Sequence, residues 1–156
     1  DAVRALMPPD ASGWPRVLDP RGLAPAAAEA RKRAALAASG AALAASGTVS
    51  LEIAAAGAPM VIGYRVNPLT AAIARRLIRV DSVTLVNLVT GERAAPEFLQ
   101  EDCRPDRLAP AVARLLDDPA AAAAQRAAGD RAMDLLGRGG EPPGLRAARS
   151  VLGRLG

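Results

Sequence analysis

Residues 45–52 have the sequence Ala45-Ser46-Gly47-Thr48-Val49-Ser50-Leu51-Glu52, which is typical of a buried strand that ends in a glycine turn and continues as a helix. The first backbone N–H groups of a helix have no partner inside it, and the helix dipole is positive at that end. Such a turn therefore suits a phosphate or pyrophosphate, with a plain helix cap as the alternative interpretation. Glu52 follows Thr48 by one turn on the same helix face, where its carboxylate would accept hydrogen bonds from a ribose.

Short apolar runs alternate with helical segments on both sides of this turn. Strands are predicted at residues 2–7, 16–18, 41–45, 59–64 and 80–86, and helices at residues 25–39, 48–57 and 67–79. Strands and helices that alternate along the chain favour right-handed parallel crossovers. The sequence therefore predicts an α/β fold with a Rossmann-like parallel sheet flanked by helices.

Past Gly91 the sequence is dominated by helical patterns. Helices are predicted at residues 105–116, 119–136 and 145–155, with Pro110 bending the first of them. Two domains are predicted: residues 1–116 form the Rossmann-like lobe, and residues 117–156 form a C-terminal helical extension. Because much of the apolar content is alanine, the core is expected to be thin, with helices that approach each other closely.

The charge and the rare residue types exclude several classes of function. The net charge of +4 comes almost wholly from arginine, which binds phosphate oxygens in pairs, although a GC-rich genome produces the same composition. The sequence contains no histidine, so Ser-His-Asp sites, Cys-His sites and histidine-ligated zinc are excluded within it. The single cysteine, Cys103, excludes an internal disulfide, fits a reducing compartment and is expected to pack as a small apolar residue. Tyr64 is expected in the core.

The sequence predicts neither a membrane span nor a secretion signal. It has no run of about 18 apolar residues, and no basic start followed by an apolar stretch and a cleavage site. The chain begins at Asp1 rather than at methionine, which leads us to expect further residues upstream.

Six blocks of the sequence resemble, in order and without large gaps, the C-terminal lobe of lipid-A-disaccharide synthase. They are Ser46-Gly47-Thr48-Val49-Ser50-Leu51-Glu52, Gly57-Ala58-Pro59-Met60-Val61, Tyr64-Arg65-Val66-Asn67-Pro68-Leu69-Thr70, Ile73-Ala74-Arg75-Arg76-Leu77, Leu85-Val86-Asn87-Leu88 and Pro96-Glu97-Phe98-Leu99-Gln100-Glu101-Asp102-Cys103. The similarity covers residues 34–116 and is weaker on either side. The sequence departs from the family at Val86, where many relatives have proline, and at Asp81-Ser82, which replace a more rigid Pro-aromatic pair.

The resemblance implies one lobe of a two-lobed, inverting glycosyltransferase of the GT-B type. Such an enzyme transfers diacylglucosamine from its UDP derivative to a diacylglucosamine 1-phosphate acceptor and forms the lipid A disaccharide. The C-terminal lobe would hold the nucleotide sugar, and the acceptor lobe with its carboxylate base would precede it. This chain is therefore expected to be a fragment that contains no catalytic residue and is inactive alone. No cofactor and no metal are implied, because backbone dipoles and arginine would act where other enzymes place a divalent cation.

The resemblance also assigns the residues that would bind the UDP-sugar. Ser46, Gly47 and Thr48 would face the pyrophosphate, and Glu52 would face the ribose hydroxyls. A structural helix cap is the alternative role for these residues.

Four further residues complete this assignment, each with an alternative role. Arg65 would neutralise the diphosphate as UDP leaves, or is a solvated arginine. Asn87 would contact the donor sugar or a phosphate, or fixes a loop. Glu97 and Gln100 would share a helix face and hold sugar hydroxyls or the uracil edge, or form an N-terminal capping pair.

The partners and the location also follow from the resemblance. The cluster Arg75, Arg76 and Arg79 would contact anionic phospholipid headgroups or, more simply, solvent. The family implies a cytoplasmic protein, peripheral on the inner membrane of a Gram-negative bacterium, without a nucleic-acid partner, and it leaves oligomerisation open. One rival function is a GT-B lobe for another UDP-sugar. A second rival is a non-catalytic arginine-rich module that binds nucleic acid or membrane by charge, which the scarcity of aromatic residues makes the weaker alternative.

Overall fold

The computed structural model of the chain describes residues 17–45, 47–67 and 82–154. The strand predicted at residues 2–7, Ser46 and the helix predicted beyond Asn67, with its three arginines, lie outside these ranges. The chain divides into two compact units, residues 1–32 and 33–156, and the division falls inside the first helix. The functional site and the sheet belong to the second unit.

The described residues form three strands, six α-helices and one short 3₁₀ helix. The strands are β1 (Ala42–Ala44), β2 (Met60–Tyr64) and β3 (Glu97–Leu99), and the 3₁₀ helix is Gln100–Asp102. The helices are α1 (Pro25–Ala37), α2 (Val49–Ala55), α3 (Leu85–Thr90), α4 (Pro105–Asp117), α5 (Pro119–Leu135) and α6 (Pro143–Leu152). None of these helices has both the length and the apolar character that crossing a membrane requires.

The three strands form a parallel sheet in the order β1-β2-β3, so β2 lies in the centre. Ala42 is opposite Met60, and Ile62 is opposite Glu97. Met60, Val61 and Ile62 are at most 2% exposed, which shows that both faces of β2 are covered, as in parallel sheets flanked by helices. The prediction of an α/β, Rossmann-like fold is confirmed.

Several predicted elements are confirmed, and two predicted strands are wrong. The strands at 41–45 and 59–64 and the helices at 25–39, 105–116 and 119–136 occur within one or two residues of the expected bounds. The strand predicted at 80–86 is wrong, because Leu85 and Val86 begin helix α3. Val17 and Leu18 lie in irregular backbone, so the strand predicted at 16–18 does not form there. The last helix begins at Pro143, two residues earlier than expected.

The core of the second unit lies between the sheet and helices α2, α3 and α5. Its buried residues are Ile53, Ala54, Ala58, Met60, Ile62, Val86, Ala95 and Ala132. Helices α2 and α5 approach closely at Gly129, where an added Cβ would lie 3.4 Å from the Cβ of Ala54. The expectation of a thin, alanine-rich core with closely packed helices is confirmed.

Helix α5 begins at a strong cap. It belongs to the same compact unit as the sheet. The Asp118 carboxylate accepts hydrogen bonds from the N–H groups of Ala120 and Ala121, both at 3.0 Å, and Pro119 occupies the first helical turn. The helix packs on α2 and α3, and residues 33–156 form a single compact unit. The boundary predicted after residue 116 lies inside this compact unit. The division into a nucleotide-sugar-binding lobe and a helical extension at this position stays a prediction.

A buried glutamine ties α5 to the sheet. The Gln125 Oε1 atom accepts a hydrogen bond from the Met60 N–H at the start of β2, and its Nε2 donates to the Ala94 carbonyl at 3.2 Å. Gln125 is only 8% exposed and Met60 only 2%, so the Met60 N–H has no ready access to water as a replacement partner. Gln125 therefore fixes the position of α5 relative to the beginnings of β2 and β3.

Replacing Gln125 by alanine should lower the free energy of unfolding by about 2 kcal/mol, because it leaves the buried Met60 N–H without a partner. Arg126→Ala is the matched control on the same helix. It removes one exposed hydrogen bond, to the Gly57 carbonyl, and should cost about 0.5 kcal/mol. Urea unfolding followed by circular dichroism measures both values. Equal losses for the two variants would contradict the role assigned to Gln125.

Candidate functional site

The carboxyl edge of the sheet gathers three of the segments predicted to form a site. The parallel strands β1, β2 and β3 end at Ala44, Tyr64 and Leu99, so the chain that follows each strand leaves the sheet at the same edge. The Gly47 turn follows β1, Arg65 follows β2, and Gln100 follows β3. Ligands of open α/β sheets bind at this edge.

The turn after β1 depends on glycine for its backbone conformation. Gly47 has φ +118°, a value that residues with a Cβ rarely adopt, while an added Cβ would meet no atom of the described residues within 4 Å. Gly47 also forms an isolated parallel bridge with Thr84, the residue before α3. The starts of helices α2 and α3 therefore lie side by side.

Helix α2 starts directly after this turn and is seven residues long. Thr48 is its N-cap residue, and its hydroxyl makes no capping hydrogen bond. The Ser50 N–H donates to the Gly47 carbonyl at 3.2 Å, and the Leu51 N–H donates to the Thr48 carbonyl at 3.0 Å. An anion bound at this turn therefore has to use the N–H groups that precede Ser50. Glu52 is exposed in the first turn of α2.

A carboxylate from the sheet caps the neighbouring helix α3. The Oε1 atom of Glu97 accepts hydrogen bonds from the N–H groups of Thr84 (2.7 Å) and Val83 (3.1 Å), from the Ser82 hydroxyl, and from Asn87 Nδ2 at 3.4 Å. The negative charge lies at the positive end of a helix dipole and satisfies amides that have no partner within the helix. All the hydrogen bonds that Glu97 makes with described residues use Oε1.

The prediction that Glu97 and Gln100 share one helix face is wrong. Glu97 is the first residue of strand β3, and Gln100 begins the 3₁₀ helix with φ +52°. Pairing of β3 with β2 holds Glu97 in extended backbone, while its carboxylate reaches the start of α3. Glu97 does have a capping role, which was its alternative role, but it acts at the start of α3, a helix that precedes it in the chain.

Asn87 fixes the loop between α3 and β3. Its Nδ2 donates to the Ala95 carbonyl and its Oδ1 accepts from the Ala95 N–H, both at 2.9 Å. The residue is 3% exposed, and its second Nδ2 hydrogen is directed to Glu97. Of the two roles predicted for Asn87, this geometry matches that of a loop-fixing residue.

A cavity of about 430 Å³ adjoins this capped helix start. It is lined by Asn87, Arg93, Ala95, Pro96, Glu97, Leu99 and Asp102. The Oε1 atom of Glu97 is held by its four donors, so Oε2 is the carboxylate oxygen with capacity for hydroxyl donors of a ligand. In the described residues, no group of three or more acidic or cysteine side chains is arranged to hold a metal ion.

The environments of Arg65, Tyr64 and Cys103 differ. Arg65 is exposed directly after β2. The prediction that Tyr64 lies in the core is wrong, because it is the last residue of β2 and is 38% exposed. Cys103 is half-buried near Gly63, where an added Cβ would lie 3.3 Å from its Sγ, as expected for a small packed residue.

Thr84 is a site residue that sequence reasoning missed. It is fully buried, and its Oγ1 atom has no hydrogen-bond partner among the described residues, although its N–H donates to Glu97. Ser82 was also missed, although it lies in the sequence Ser82-Val83-Thr84 directly before α3. Serine and threonine ahead of an apolar run are the usual signal of a helix start, so this signal was present in the sequence.

Comparison with the sequences of known proteins tests the family resemblance over most of the chain. A family model described as lipid-A-disaccharide synthetase matches residues 23–140. This chain belongs to that family. The resemblance inferred from the six sequence blocks is thereby confirmed.

Individual relatives support this membership. The chain is 59% identical to the lipid-A-disaccharide synthase of Ruegeria pomeroyi over 143 residues, which are 92% of this chain and 35% of that protein. It is 54% identical to the lipid-A-disaccharide synthase of Paramagnetospirillum magneticum over 121 residues, covering 76% of this chain and 29% of that protein. The chain spans about a third of the length of the curated relatives it matches.

Replacing Glu97 by alanine should lower the free energy of unfolding by about 2 kcal/mol, because the amides of Val83 and Thr84 lose a charged acceptor. Glu97→Gln keeps one oxygen acceptor and should cost about 1 kcal/mol. The control is Glu92→Gln, which breaks only the exposed ion pair with Arg131 and should cost at most about 0.5 kcal/mol. Urea unfolding tests the series, and a Glu97→Ala value as small as the control would contradict the capping role.

Thr84→Val should raise the free energy of unfolding by about 1 kcal/mol. Valine has the same shape as threonine, and the substitution removes a buried hydroxyl for which residues 17–45, 47–67 and 82–154 provide no hydrogen-bond partner. Thermal and urea unfolding of the variant measure the change. A loss of stability would show that the hydroxyl has a hydrogen-bond partner in solution.

Proposed function

We propose that this chain is the donor-binding lobe of a GT-B glycosyltransferase. The complete enzyme would transfer diacylglucosamine from its UDP derivative to diacylglucosamine 1-phosphate and form the lipid A disaccharide. Membership of the lipid-A-disaccharide synthetase family and the names of the relatives support this proposal. Since the chain spans about a third of those relatives, the acceptor-binding part would be supplied by the rest of such a protein.

The observation that supports donor binding best is the pair of adjacent helix starts at the carboxyl edge of the sheet. One start is closed by the chain's own Glu97 carboxylate, while no described residue covers the turn at Gly47 on the side where a Cβ would be. A diphosphate would approach that backbone and accept hydrogen bonds from the N–H groups at the beginning of α2. Ser46, Gly47 and Thr48 are the residues assigned to this contact.

The carboxylates around this turn suit the hydroxyl-rich parts of the donor. Glu52 in the first turn of α2 would accept hydrogen bonds from the ribose. Glu97 would use Oε2 toward a sugar hydroxyl or the uracil edge, while Oε1 stays on the helix amides, and Gln100 would contribute from the end of β3. Asn87 would act indirectly, by holding the loop that leads to Glu97.

Arg65 would support the departure of the leaving group. In the complete enzyme, the acceptor hydroxyl would attack the anomeric carbon from the face opposite the diphosphate, which inverts the configuration. The bond from that carbon to the diphosphate oxygen would break, and UDP would leave with the electron pair. The hydroxyl proton would pass to a carboxylate in the rest of the protein, and the Arg65 guanidinium would stabilise the growing negative charge on UDP.

The location and the partners follow from this chemistry. Both substrates carry acyl chains, so the protein would work in the cytoplasm at the surface of the inner membrane, without a nucleic-acid partner. A lobe for another UDP-sugar is the rival within the same class. Binding by charge alone is the rival in another class, and it would weaken steeply with salt and show no preference for UDP over other polyanions.

Titration calorimetry of UDP into the folded 156-residue chain tests donor binding. Glu52→Ala and Arg65→Ala should each weaken UDP binding about tenfold, since each removes one charged contact. Glu141→Ala is the control, because Glu141 pairs with Arg149 next to α6. The chain alone should form no disaccharide.

Three results would contradict the proposal. The first is a folded chain that gives no heat with UDP, and the second is unchanged affinity in the Glu52 and Arg65 variants. The third is equal affinity for UDP and for inorganic triphosphate. If UDP does bind, a panel of UDP-sugars would identify the donor.

A further inference from the structure

The central strand of the sheet ends in an aromatic residue. Tyr64 is the last residue of β2 and is paired with Leu99 of β3. Strand β1 ends earlier in the register, because its last residue, Ala44, is opposite Ile62. Tyr64 therefore lies beyond the end of β1, at the carboxyl edge where the chain after β1 turns at Gly47.

The side chain of Tyr64 belongs to the face of the sheet that carries α2 and α3. Successive side chains of a strand point to opposite faces, and Met60 and Ile62 lie in the core on the side of these helices. Tyr64 follows them in the same alternation. The starts of α2 and α3 are joined by the bridge between Gly47 and Thr84, so Tyr64 is on the same side of the sheet as both helix starts.

Tyr64 also borders the cavity of about 430 Å³ next to the start of α3. Paired residues of a parallel sheet have their side chains on the same face, so Leu99 and, two residues earlier, Glu97 share the face of Tyr64. Both of these β3 residues line the cavity. In the order of the strands, Tyr64 thus lies between the Gly47 turn and the Glu97 carboxylate.

The ring of Tyr64 is more open to solvent than the side chains that precede it on this face. Tyr64 is 38% exposed, whereas Met60 and Ile62 are at most 2% exposed. An aromatic ring offers a flat apolar surface, and this one lies at the edge where ligands of open α/β sheets bind. Such a surface suits a ligand ring whose face is apolar and whose polar groups lie at its rim.

We propose that the Tyr64 ring packs against the face of the hexosamine ring of the donor. This inference rests on the proposed function, which places the diphosphate at the Gly47 turn and the ribose at Glu52 on α2. The hexosamine is at the other end of the diphosphate and therefore lies towards β2 and β3. Its C–H groups pack on Tyr64, while a hydroxyl at its rim donates to Glu97 Oε2. Tyr64 binds the sugar and takes no part in the proton transfer.

The chain has a single tyrosine, which permits a direct test by nuclear magnetic resonance. The 156-residue chain is prepared with deuterated side chains except for a protonated tyrosine ring. Saturation of the Tyr64 ring protons should then pass to the hexosamine protons of UDP-N-acetylglucosamine more strongly than to the protons of its uracil ring. The reverse order would overturn the inference and would make uracil the ring that Tyr64 contacts.

Calorimetry of variants separates the aromatic ring from the hydroxyl. Tyr64→Ala should weaken the binding of UDP-N-acetylglucosamine about tenfold, and that of UDP less than about twofold. Tyr64→Phe keeps the ring and should bind both as the native chain does. The matched control is Leu43→Ala, which should change neither affinity. Leu43 is 55% exposed on β1, and it points to the opposite face because Ala42 and Ala44 pack against the core.

Two calorimetric results would overturn the inference while UDP still binds. One is an equal loss of affinity for UDP and UDP-N-acetylglucosamine in Tyr64→Ala. The other is a loss in Tyr64→Phe as large as that in Tyr64→Ala, which would assign the contact to the hydroxyl. Circular dichroism checks that each variant is folded, and the resonance experiment needs no variant. Absence of UDP binding by the native chain would contradict the proposed function, and this inference with it.

Discussion

The hydrogen bonds around the Glu97 carboxylate hold the carboxyl edge of the sheet together. One oxygen atom accepts from the amides of the two residues just before α3, from a serine hydroxyl and from the Asn87 side-chain amide. The Asn87 side chain is also hydrogen-bonded to the backbone of Ala95. Glu97 starts β3, and Ala95 lies just before it, so these bonds connect the start of a helix with the strand that follows it. Without this carboxylate the amides of Val83 and Thr84 would lose their charged acceptor at the start of the short helix α3.

The packing behind this edge is thin and uses small residues. Alanines and one glycine allow α5 to lie close to α2, and the largest buried side chains come from the central strand and from Ile53 and Val86. Such a core buries less apolar area per residue than one built from aromatic side chains. Specific buried hydrogen bonds, as at Gln125 and Asn87, therefore matter more for fixing the relative positions of the elements.

Much of the fold was predictable from the sequence because its signals are local. The run Met60-Val61-Ile62 predicted a buried strand, and the sequence Asp118-Pro119 predicted the start of α5, since strand burial and helix capping depend on neighbouring residues. The alternating pattern of residues 80–86 predicts a strand, but Leu85 and Val86 begin α3. The residues just before this helix are bonded to Glu97, which lies more than ten residues away and is not part of the local pattern. The prediction that Glu97 and Gln100 share a helix face fails for a similar reason. The three residues of β3 do not show by themselves that they pair with β2, which lies more than thirty residues earlier in the chain.

The bond between Gln125 and the start of β2 has a consequence for how the sequence can change. Each residue of a helix turns the following side chains by 100°, so inserting or deleting one residue between Asp118 and Gln125 would rotate the glutamine away from Met60. The same rotation would move Gly129 from its place beside Ala54 and bring a larger side chain there. The first two turns of α5 therefore have a fixed length, whereas substitutions on their exposed side are free to accumulate.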